Sequence, residues 1–260
     1  MSNYDNVEPK EKWTFDSSVA NCFENMLERS IPQYSVMRTS VANLVYDMIV
    51  NQDIKKSVYT ILDIGCSDGL MLETLIKKFS DCDTPNDKIL DDYDSVNSGR
   101  FVGIDVSEAM LVKAKHRLLE DVISHKARIE YCDLRTNFPD GIFDAITSIL
   151  TIQFTPIEYR QHIIQNVYNS LSNKNGVFIM VEKVLGNTDR LNQLFVKNYY
   201  DMKSANDYSH EQIERKRLSL EGVLVPVTND WNIDLLKQAG FREVDVFWRW
   251  MNFVGYIAIK

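Results

Sequence analysis

Val-Tyr-Thr-Ile-Leu-Asp-Ile-Gly-Cys-Ser-Asp-Gly, residues 58–69, is the segment from which the architecture can be inferred. Its first eight residues form a short apolar run, rich in β-branched side chains, that ends in glycine. This pattern is typical of a strand buried on both faces in a parallel sheet. Residues 70–79 then show apolar side chains at helical spacing and close with Lys77 and Lys78, which suit the negative end of a helix dipole. The segment therefore predicts a strand, a glycine turn and a helix in direct succession.

The same unit repeats along the chain. A second strand is predicted at 100–105, and Ser107 is placed to cap the helix that follows. Further elements continue the alternation, with strands at 128–132, 143–150 and 176–181 and a helix at 156–171. This order predicts an α/β fold with a Rossmann-like, doubly wound, mostly parallel sheet.

The C-terminal part of the chain departs from this alternation. Two strand-like runs, 244–250 and 253–259, are too close together for a crossover helix, so we predict an antiparallel hairpin. The hairpin brings the predicted sheet to seven strands. A closing hairpin of this kind is typical of S-adenosylmethionine (SAM) dependent methyltransferases and not of dinucleotide dehydrogenases.

No internal repeat or linker-like boundary divides the 260 residues, which fit one large α/β domain. We therefore expect a single SAM-dependent methyltransferase-like domain over 1–260. Residues 1–50 and 186–230 are largely helical by pattern, and we interpret them as an N-terminal helical cap and a helical insertion over the active site. Segment 80–99 is rich in Asp and predicts a long surface loop.

Composition and charge argue against several classes of function. The formal net charge is -8, and direct nucleic-acid binding needs clustered Lys and Arg. The N-terminal segment is polar and no apolar run approaches the length of a membrane span, so we expect a cytoplasmic protein without a membrane partner. The four cysteines and four histidines lack the spacing of a zinc site, so we expect no metal.

Acidic and glycine residues follow successive predicted strands. Asp63 and Gly65 close the first strand, Asp105 the second, and Asp133 follows the third. Ligands of open α/β sheets bind at these carboxyl ends, where Asp105 could accept hydrogen bonds from ribose hydroxyls and Asp133 could face an adenine. The turn lacks the middle glycine of the dinucleotide fingerprint, which favours SAM over a nicotinamide cofactor. Taken singly, each acid is more simply interpreted as a helix cap or a solvent-exposed loop residue, and it is their order at successive strand ends that indicates a binding site.

The sequence also resembles the carboxy-SAM synthase family, from about Trp13 to Lys260. The segments that carry the resemblance are Trp-Thr-Phe-Asp at 13–16, Arg-Ser-Ile-Pro-Gln-Tyr-Ser at 29–35, Leu-Asp-Ile-Gly-Cys-Ser-Asp-Gly at 62–69, Thr-Ile-Gln-Phe at 151–154, Glu-Lys at 182–183, Ala-Asn-Asp-Tyr-Ser at 205–209, Lys-Arg at 216–217 and Ala-Gly-Phe at 239–241. Members of that family transfer a carboxylate from prephenate onto the methyl group of SAM.

The resemblance implies a role for individual residues. Those that would contact SAM or carboxy-SAM are Tyr34, Gly65, Cys66, Ser67, Asp105, Val106, Asp133 and Leu134, with Arg217 on the added carboxylate. A guanidinium suits that last task because it forms paired hydrogen bonds with a carboxylate. The resemblance also implies a small-molecule substrate and a homodimer.

Two positions depart from the family pattern. Ile149 and Val106 stand where that family has asparagine, so two amide groups near the expected cofactor are lost. These departures keep two alternatives open: an ordinary SAM-dependent methyltransferase acting on a small molecule, and a catalytically silent SAM-binding subunit.

Overall fold

The computed structural model describes residues 11–50, 59–81 and 100–260, together with Val7 and Pro9. The predicted loop at 80–99 lies outside the described residues except for its first two, which end a helix. The strands are β1 (Thr60–Ile64), β2 (Arg100–Asp105), β3 (Ala127–Tyr131), β4 (Ala145–Ile149), β5 (Val177–Leu185), β6 (Val227–Thr228), β7 (Glu243–Trp250) and β8 (Phe253–Ile259). The helices are α1 (Ser17–Ser30), α2 (Tyr34–Val50), α3 (Leu70–Asp81), α4 (Glu108–Arg117), α5 (Leu119–Ile123), α6 (Ile157–Ser170), α7 (Asp189–Ala205), α8 (His210–Leu220) and α9 (Asn229–Ala239).

The sheet has the order β3-β2-β1-β4-β5-β8-β7, so the predicted α/β fold with seven strands is confirmed. Strands β1 to β5 are parallel, whereas β8 is antiparallel to both β5 and β7. The chain leaves β1 toward β2 on one side and reaches β4 on the other. The strand order therefore reverses between β1 and β4, which is where open α/β sheets bind ligands.

The two-residue strand β6 is an addition that the sequence did not predict, because 186–230 is helical by pattern. Val227 and Thr228 pair with Val184 and Leu185 at the end of β5. The excursion that carries α7 and α8 therefore returns to the sheet beside the point from which it leaves.

Alternation along the strands sorts the core onto two faces. On β5, Val177, Ile179 and Val181 face a cluster shared with α2 and α3, while Phe178 and Met180 face a cluster shared with α6 and α9. A third cluster, built on Trp13, Phe23 and Met110, joins the N-terminal segment to α4. The interiors of β1, β2, β4, β5 and β8 are thus buried on both sides, as the continuous apolar runs predict, whereas the edge strands β3 and β7 are partly exposed.

Helix ends follow the local sequence. Ser107 accepts a hydrogen bond from the backbone N–H of Met110, which confirms it as the N-cap of α4. Ser209 and Gln212 form a capping box at the start of α8. These caps fix where α4 and α8 begin, next to the carboxyl edge of the sheet.

Candidate active site

A cleft of about 570 Å³ lies at the carboxyl edge of the parallel strands, a volume within the usual range for small-molecule sites. Its walls come from the N-terminal segment, the ends of β1 to β5, and helices α7 and α8. Every residue that the sequence singled out lines it, namely Tyr34, Asp63, Gly65, Cys66, Ser67, Asp105, Val106, Asp133, Leu134 and Arg217. The structure thus brings together residues that lie up to 183 positions apart in the chain.

The glycine turn is formed by close packing between the ends of β1 and β4. Gly65 has a φ of +70°, a conformation that L residues with a side chain rarely adopt. A Cβ atom at Gly65 would lie 2.2 Å from the hydroxyl oxygen and 2.8 Å from the Cβ of Thr151. Ser67 and Leu150 also have positive φ angles, of 49° and 59°. Strained backbone at the ends of two adjacent strands is a common mark of a ligand site.

Asp105 organises the backbone around this turn. One carboxylate oxygen accepts a hydrogen bond from the backbone N–H of Ser67 at 3.0 Å, and the other accepts one from Ser107 at 2.8 Å. A carboxylate has about four acceptor positions, so each oxygen keeps capacity for a ligand hydroxyl. Burial raises the pKa of Asp105, and hydrogen bonds from the backbone N–H groups of Ser107, Ser67 and Val106 partly offset that rise. The carboxylate can therefore both shape the turn and accept hydrogen bonds from a ribose.

Asp63 is a nearly buried carboxylate, with only 2% of its surface exposed. It accepts a hydrogen bond of 2.6 Å from the hydroxyl of Thr147 and makes no ion pair within the described residues. Burial raises its pKa to about 7, the Thr147 hydrogen bond counteracts that rise, and the charge of Asp105 adds to it. A positively charged ligand in the cleft would favour the ionised form of both acids. These two acids therefore fit a cationic ligand such as a sulfonium.

Asp133 and Leu134 line the cleft beyond β3. Both carboxylate oxygens of Asp133 accept hydrogen bonds from the guanidinium of Arg135, at 2.6 to 3.1 Å, and this pairing holds the pKa of Asp133 below its ordinary value. Leu134 is buried. An apolar side chain beside a paired carboxylate is a setting that suits an aromatic base.

Tyr34 and Arg217 stand on the helical parts of the wall. Tyr34 is buried at the start of α2, and burial raises its pKa. Arg217, in α8, is half-exposed and pairs with Glu214 one turn away at 2.6 Å. An exposed pair of this kind is weak, so Arg217 can exchange Glu214 for a ligand carboxylate at little cost.

Arg117 was not singled out from the sequence, and it connects three elements next to the turn. Its guanidinium pairs with Asp68 at 2.8 Å, with Glu73 at 3.0 Å and with Glu24 at 3.0 Å. Asp68 belongs to the glycine turn, Glu73 to α3 and Glu24 to α1. This cluster therefore ties the N-terminal cap to the turn, and nothing in the local spacing of the sequence signals it.

Gln153 belongs to the Thr-Ile-Gln-Phe segment at 151–154, and the sequence predicted no role for it. Its side-chain oxygen accepts a hydrogen bond of 2.8 Å from the backbone N–H of Lys183, and its backbone oxygen accepts one of 2.9 Å from Val225. Arg160, which is fully buried, donates to the backbone oxygens of both Gln153 and Val225. Gln153 therefore joins the ends of β4 and β5 to the returning end of the helical insertion.

Lys183 and Lys203 also line the cleft, and the sequence assigned no function to either. Lys183 belongs to the Glu-Lys segment at 182–183 that resembles the family. Lys203 belongs to α7, and no sequence motif connects it with Lys183. The cleft is thus lined by Asp63 and Asp105 at the ends of β1 and β2 and by cations on β5, α7 and α8.

The sheet order, the closing hairpin and the acid-lined cleft define a SAM-dependent methyltransferase fold. Residues 62–178 match the family described as "Methyltransferase domain", and a putative O-methyltransferase from Nostoc punctiforme superposes with a TM-score of 0.59 at 13% identity, over 94% of this chain and 59% of that one. The carboxy-S-adenosyl-L-methionine synthases of Methylococcus capsulatus and Nautilia profundicola are each 34% identical to it, over 95% and 96% of this chain and 93% and 96% of theirs. The chain belongs to the carboxy-SAM synthase family and is a SAM-dependent transferase.

None of the helices in 11–50, 59–81 and 100–260 is long and apolar enough to cross a membrane. In the same part of the chain, His, Cys, Asp and Glu side chains form no group that could hold a metal ion.

Proposed function

We propose that this protein makes carboxy-SAM from SAM and prephenate. The observation that carries the proposal is that side chains of both charges line one cleft. Asp63 and Asp105 lie at the ends of β1 and β2, and Lys183, Lys203 and Arg217 belong to β5, α7 and α8. A site for one cationic and one anionic reactant needs groups of both signs, because each charge must be compensated when water is excluded.

Each group of residues has a task in this proposal. Asp105 and Val106 hold the ribose and the adenine edge, Asp133 and Leu134 hold the base, and the turn at Gly65, Cys66 and Ser67 holds the amino-acid end together with Tyr34. SAM supplies an activated methyl carbon. The chain contributes mainly by placing the two reactants side by side in a site shielded from water.

The proposed reaction balances without a further reactant. The bond between the ring and the ring carboxylate of prephenate breaks, and its electron pair passes into the ring, which becomes aromatic. The freed carboxylate carbon becomes bonded to the methyl carbon of SAM, which loses one proton. Prephenate also loses its ring hydroxyl, which leaves as water with that proton, and phenylpyruvate remains. Arg217 would bind the new carboxylate, because its guanidinium stays charged and accepts a planar anion in paired hydrogen bonds.

An ordinary methyl transfer to a small molecule is the alternative, and Ile149 favours it. Ile149 lines the cleft at the end of β4 with an apolar side chain and packs against the core shared with α2 and α3. It offers the cofactor no hydrogen bond where the family has asparagine. With this alternative, SAM would be converted to its demethylated product and prephenate would remain unchanged.

Mass spectrometry of the products distinguishes these functions. The purified protein is incubated with SAM in the presence and absence of prephenate, and carboxy-SAM and phenylpyruvate are expected only in its presence. Asp105→Asn should lower the SAM affinity by about 10- to 100-fold, because charged hydrogen bonds of this kind contribute about 1.5–3 kcal/mol. Asp140→Asn, at an exposed position outside the cleft, is the matched control.

Three results would each contradict the proposal. Formation of demethylated SAM alone would favour the ordinary methyltransferase. No change of SAM with or without prephenate, despite SAM binding in a calorimeter, would favour the silent subunit. No binding of SAM at all would remove every SAM-dependent function.

The domain organisation, the cellular location and the oligomeric state are part of the same proposal. We infer one domain over 1–260, in which α1 and α2 form the cap and α7 and α8 the insertion over the active site, since all four helices contribute to the cleft wall. The cytoplasmic location and the homodimer are predictions from the sequence and the family. Light scattering of the purified protein tests the homodimer.

A further inference from the structure

Two lysines meet at one side of the cleft. Lys183 follows Val181 on the face of β5 that is shared with α2, and Lys203 lies in α7 with only 4% of its surface exposed. The ammonium nitrogen of Lys183 is 4.6 Å from the centroid of the Tyr199 ring, and that of Lys203 is 5.8 Å from the same centroid. Both cations therefore lie beside one aromatic ring.

This arrangement is electrostatically unfavourable for Lys183. It makes no ion pair within the described residues, and burial together with the charge of Lys203 lowers its pKa to about 8. The ring of Tyr199 attracts a cation only weakly compared with a carboxylate. A buried ammonium group beside a second cation is costly, and proteins keep such groups mainly where a ligand compensates them.

The surroundings define the kind of anion that would fit. Tyr199, Tyr200 and Phe253 line the cleft beside the two lysines and offer apolar ring surface. Asp63 and Asp105 belong to β1 and β2, which β4 separates from β5 in the sheet, so an anion has its favourable position at the lysines. The proposed function already gives Arg217 to the carboxylate that is transferred. Of the other cations in the cleft, Arg135 pairs with Asp133 and Lys216 lies over the Trp13 ring, whereas Lys183 and Lys203 lie beside Tyr199.

We propose that Lys183 and Lys203 bind the retained carboxylate of the second substrate, with Tyr199 packing against its apolar body. This inference rests on the proposed function, and it makes the two lysines positioning residues that set specificity for an anionic substrate. It also gives a role to Tyr199, which is buried beside both cations.

Binding of phenylpyruvate tests the inference, because this product keeps only the retained carboxylate. Calorimetry at pH 7 with SAM-loaded protein should show that Lys183→Met weakens phenylpyruvate binding by about 10- to 100-fold, the effect of losing one charge-assisted hydrogen bond. Lys183→Arg keeps the charge and should stay within a few-fold of the wild type. Lys197→Met changes a solvent-facing lysine on α7 and should have no effect.

A measurement on the wild type keeps the test independent of whether the variants fold. The methyl ester of phenylpyruvate lacks the charge and should bind at least 10-fold more weakly than the acid. Equal binding of ester and acid, or unchanged phenylpyruvate binding by a folded Lys183→Met variant, would overturn the inference.

The binding measurement needs no turnover, so two kinds of failure can be told apart. Carboxy-SAM formation with phenylpyruvate binding that does not depend on Lys183 would refute this inference alone. Phenylpyruvate binding that depends on Lys183, without carboxy-SAM formation, would refute the proposed function alone.

Discussion

Replacing Gly65 by alanine tests whether the glycine turn shapes the site. The new methyl group would meet the hydroxyl, methyl and Cβ atoms of Thr151 at 2.2, 2.3 and 2.8 Å. Rotation about χ1 of Thr151 moves its hydroxyl and methyl groups but leaves its Cβ in place. The overlap can therefore be relieved only if the backbone at the end of β1 or β4 moves.

The expected cost has two parts. A left-handed conformation costs an alanine roughly 1–2 kcal/mol, and forcing an extra methyl group into a packed position costs typically about 1–3 kcal/mol. Gly222 provides a matched control, because its φ is +76° but nothing lies within 4 Å of the position that an added methyl group would take. Gly222→Ala should therefore show only the conformational part. The difference between the two variants isolates the overlap with Thr151, at roughly 1–3 kcal/mol.

Urea unfolding and SAM calorimetry measure the two consequences. Gly65→Ala should be less stable than Gly222→Ala by that difference, and its SAM affinity should fall at least about tenfold, since a shift of 1.4 kcal/mol is a factor of ten. Gly222→Ala should bind SAM like the wild type. Equal stability and equal SAM affinity in the two variants would refute the close packing of the turn against Thr151 as the reason for glycine at position 65.

Two further predictions concern charges near the turn. The pKa of Asp63 is raised from its ordinary value of 3.8 to about 7, so between these values the folded state holds a proton that the unfolded state releases. The free energy of unfolding should therefore fall as pH rises from about 4 to 7, by roughly 4 kcal/mol at most. Asp63→Asn should remove that part of the pH dependence in urea unfolding, and parallel curves for the two proteins would count against it. Arg117→Met leaves the buried Asp68 without its cation and should cost about 2–3 kcal/mol, reduced from the fully buried case because Arg117 is partly exposed. Arg128→Met breaks an exposed pair with Glu130 and should cost less than about 1 kcal/mol in the same assay, so a similar loss in both variants would exclude a special role for Arg117.

The fold could be predicted from the sequence because its signals are local. Each buried strand is a continuous apolar run, and the short spacing between 244–250 and 253–259 leaves room for a turn but not for a helix. At most of the strand ends, the observed bounds differ from the predicted ones by a few residues. Strand β6 escaped prediction because two residues carry no periodicity of their own, and its pairing with β5 depends on the path of the whole insertion.

The candidate site was predictable where its residues follow a strand. Asp63, Asp105 and Asp133 each close a strand or follow it, so the sheet order alone brings them to one edge. Lys203, Arg117 and Gln153 could not be assigned in this way, because their partners lie on other elements and no spacing rule connects them. The same limit applies to the hydrogen bond between Thr147 and Asp63, because these residues lie on two different strands.

The pairing of β6 with the end of β5 has a consequence for how this scaffold can be altered. The excursion between Leu185 and Val227 starts and finishes at neighbouring points, and Val225, just before β6, is hydrogen-bonded to Gln153 and Arg160. A segment anchored in this way can be exchanged as a unit, because its two ends keep their positions whatever sequence lies between them. Chimeras that exchange this segment between relatives should change the specificity for the second substrate, while the residues at the strand ends that are proposed to bind SAM stay in place.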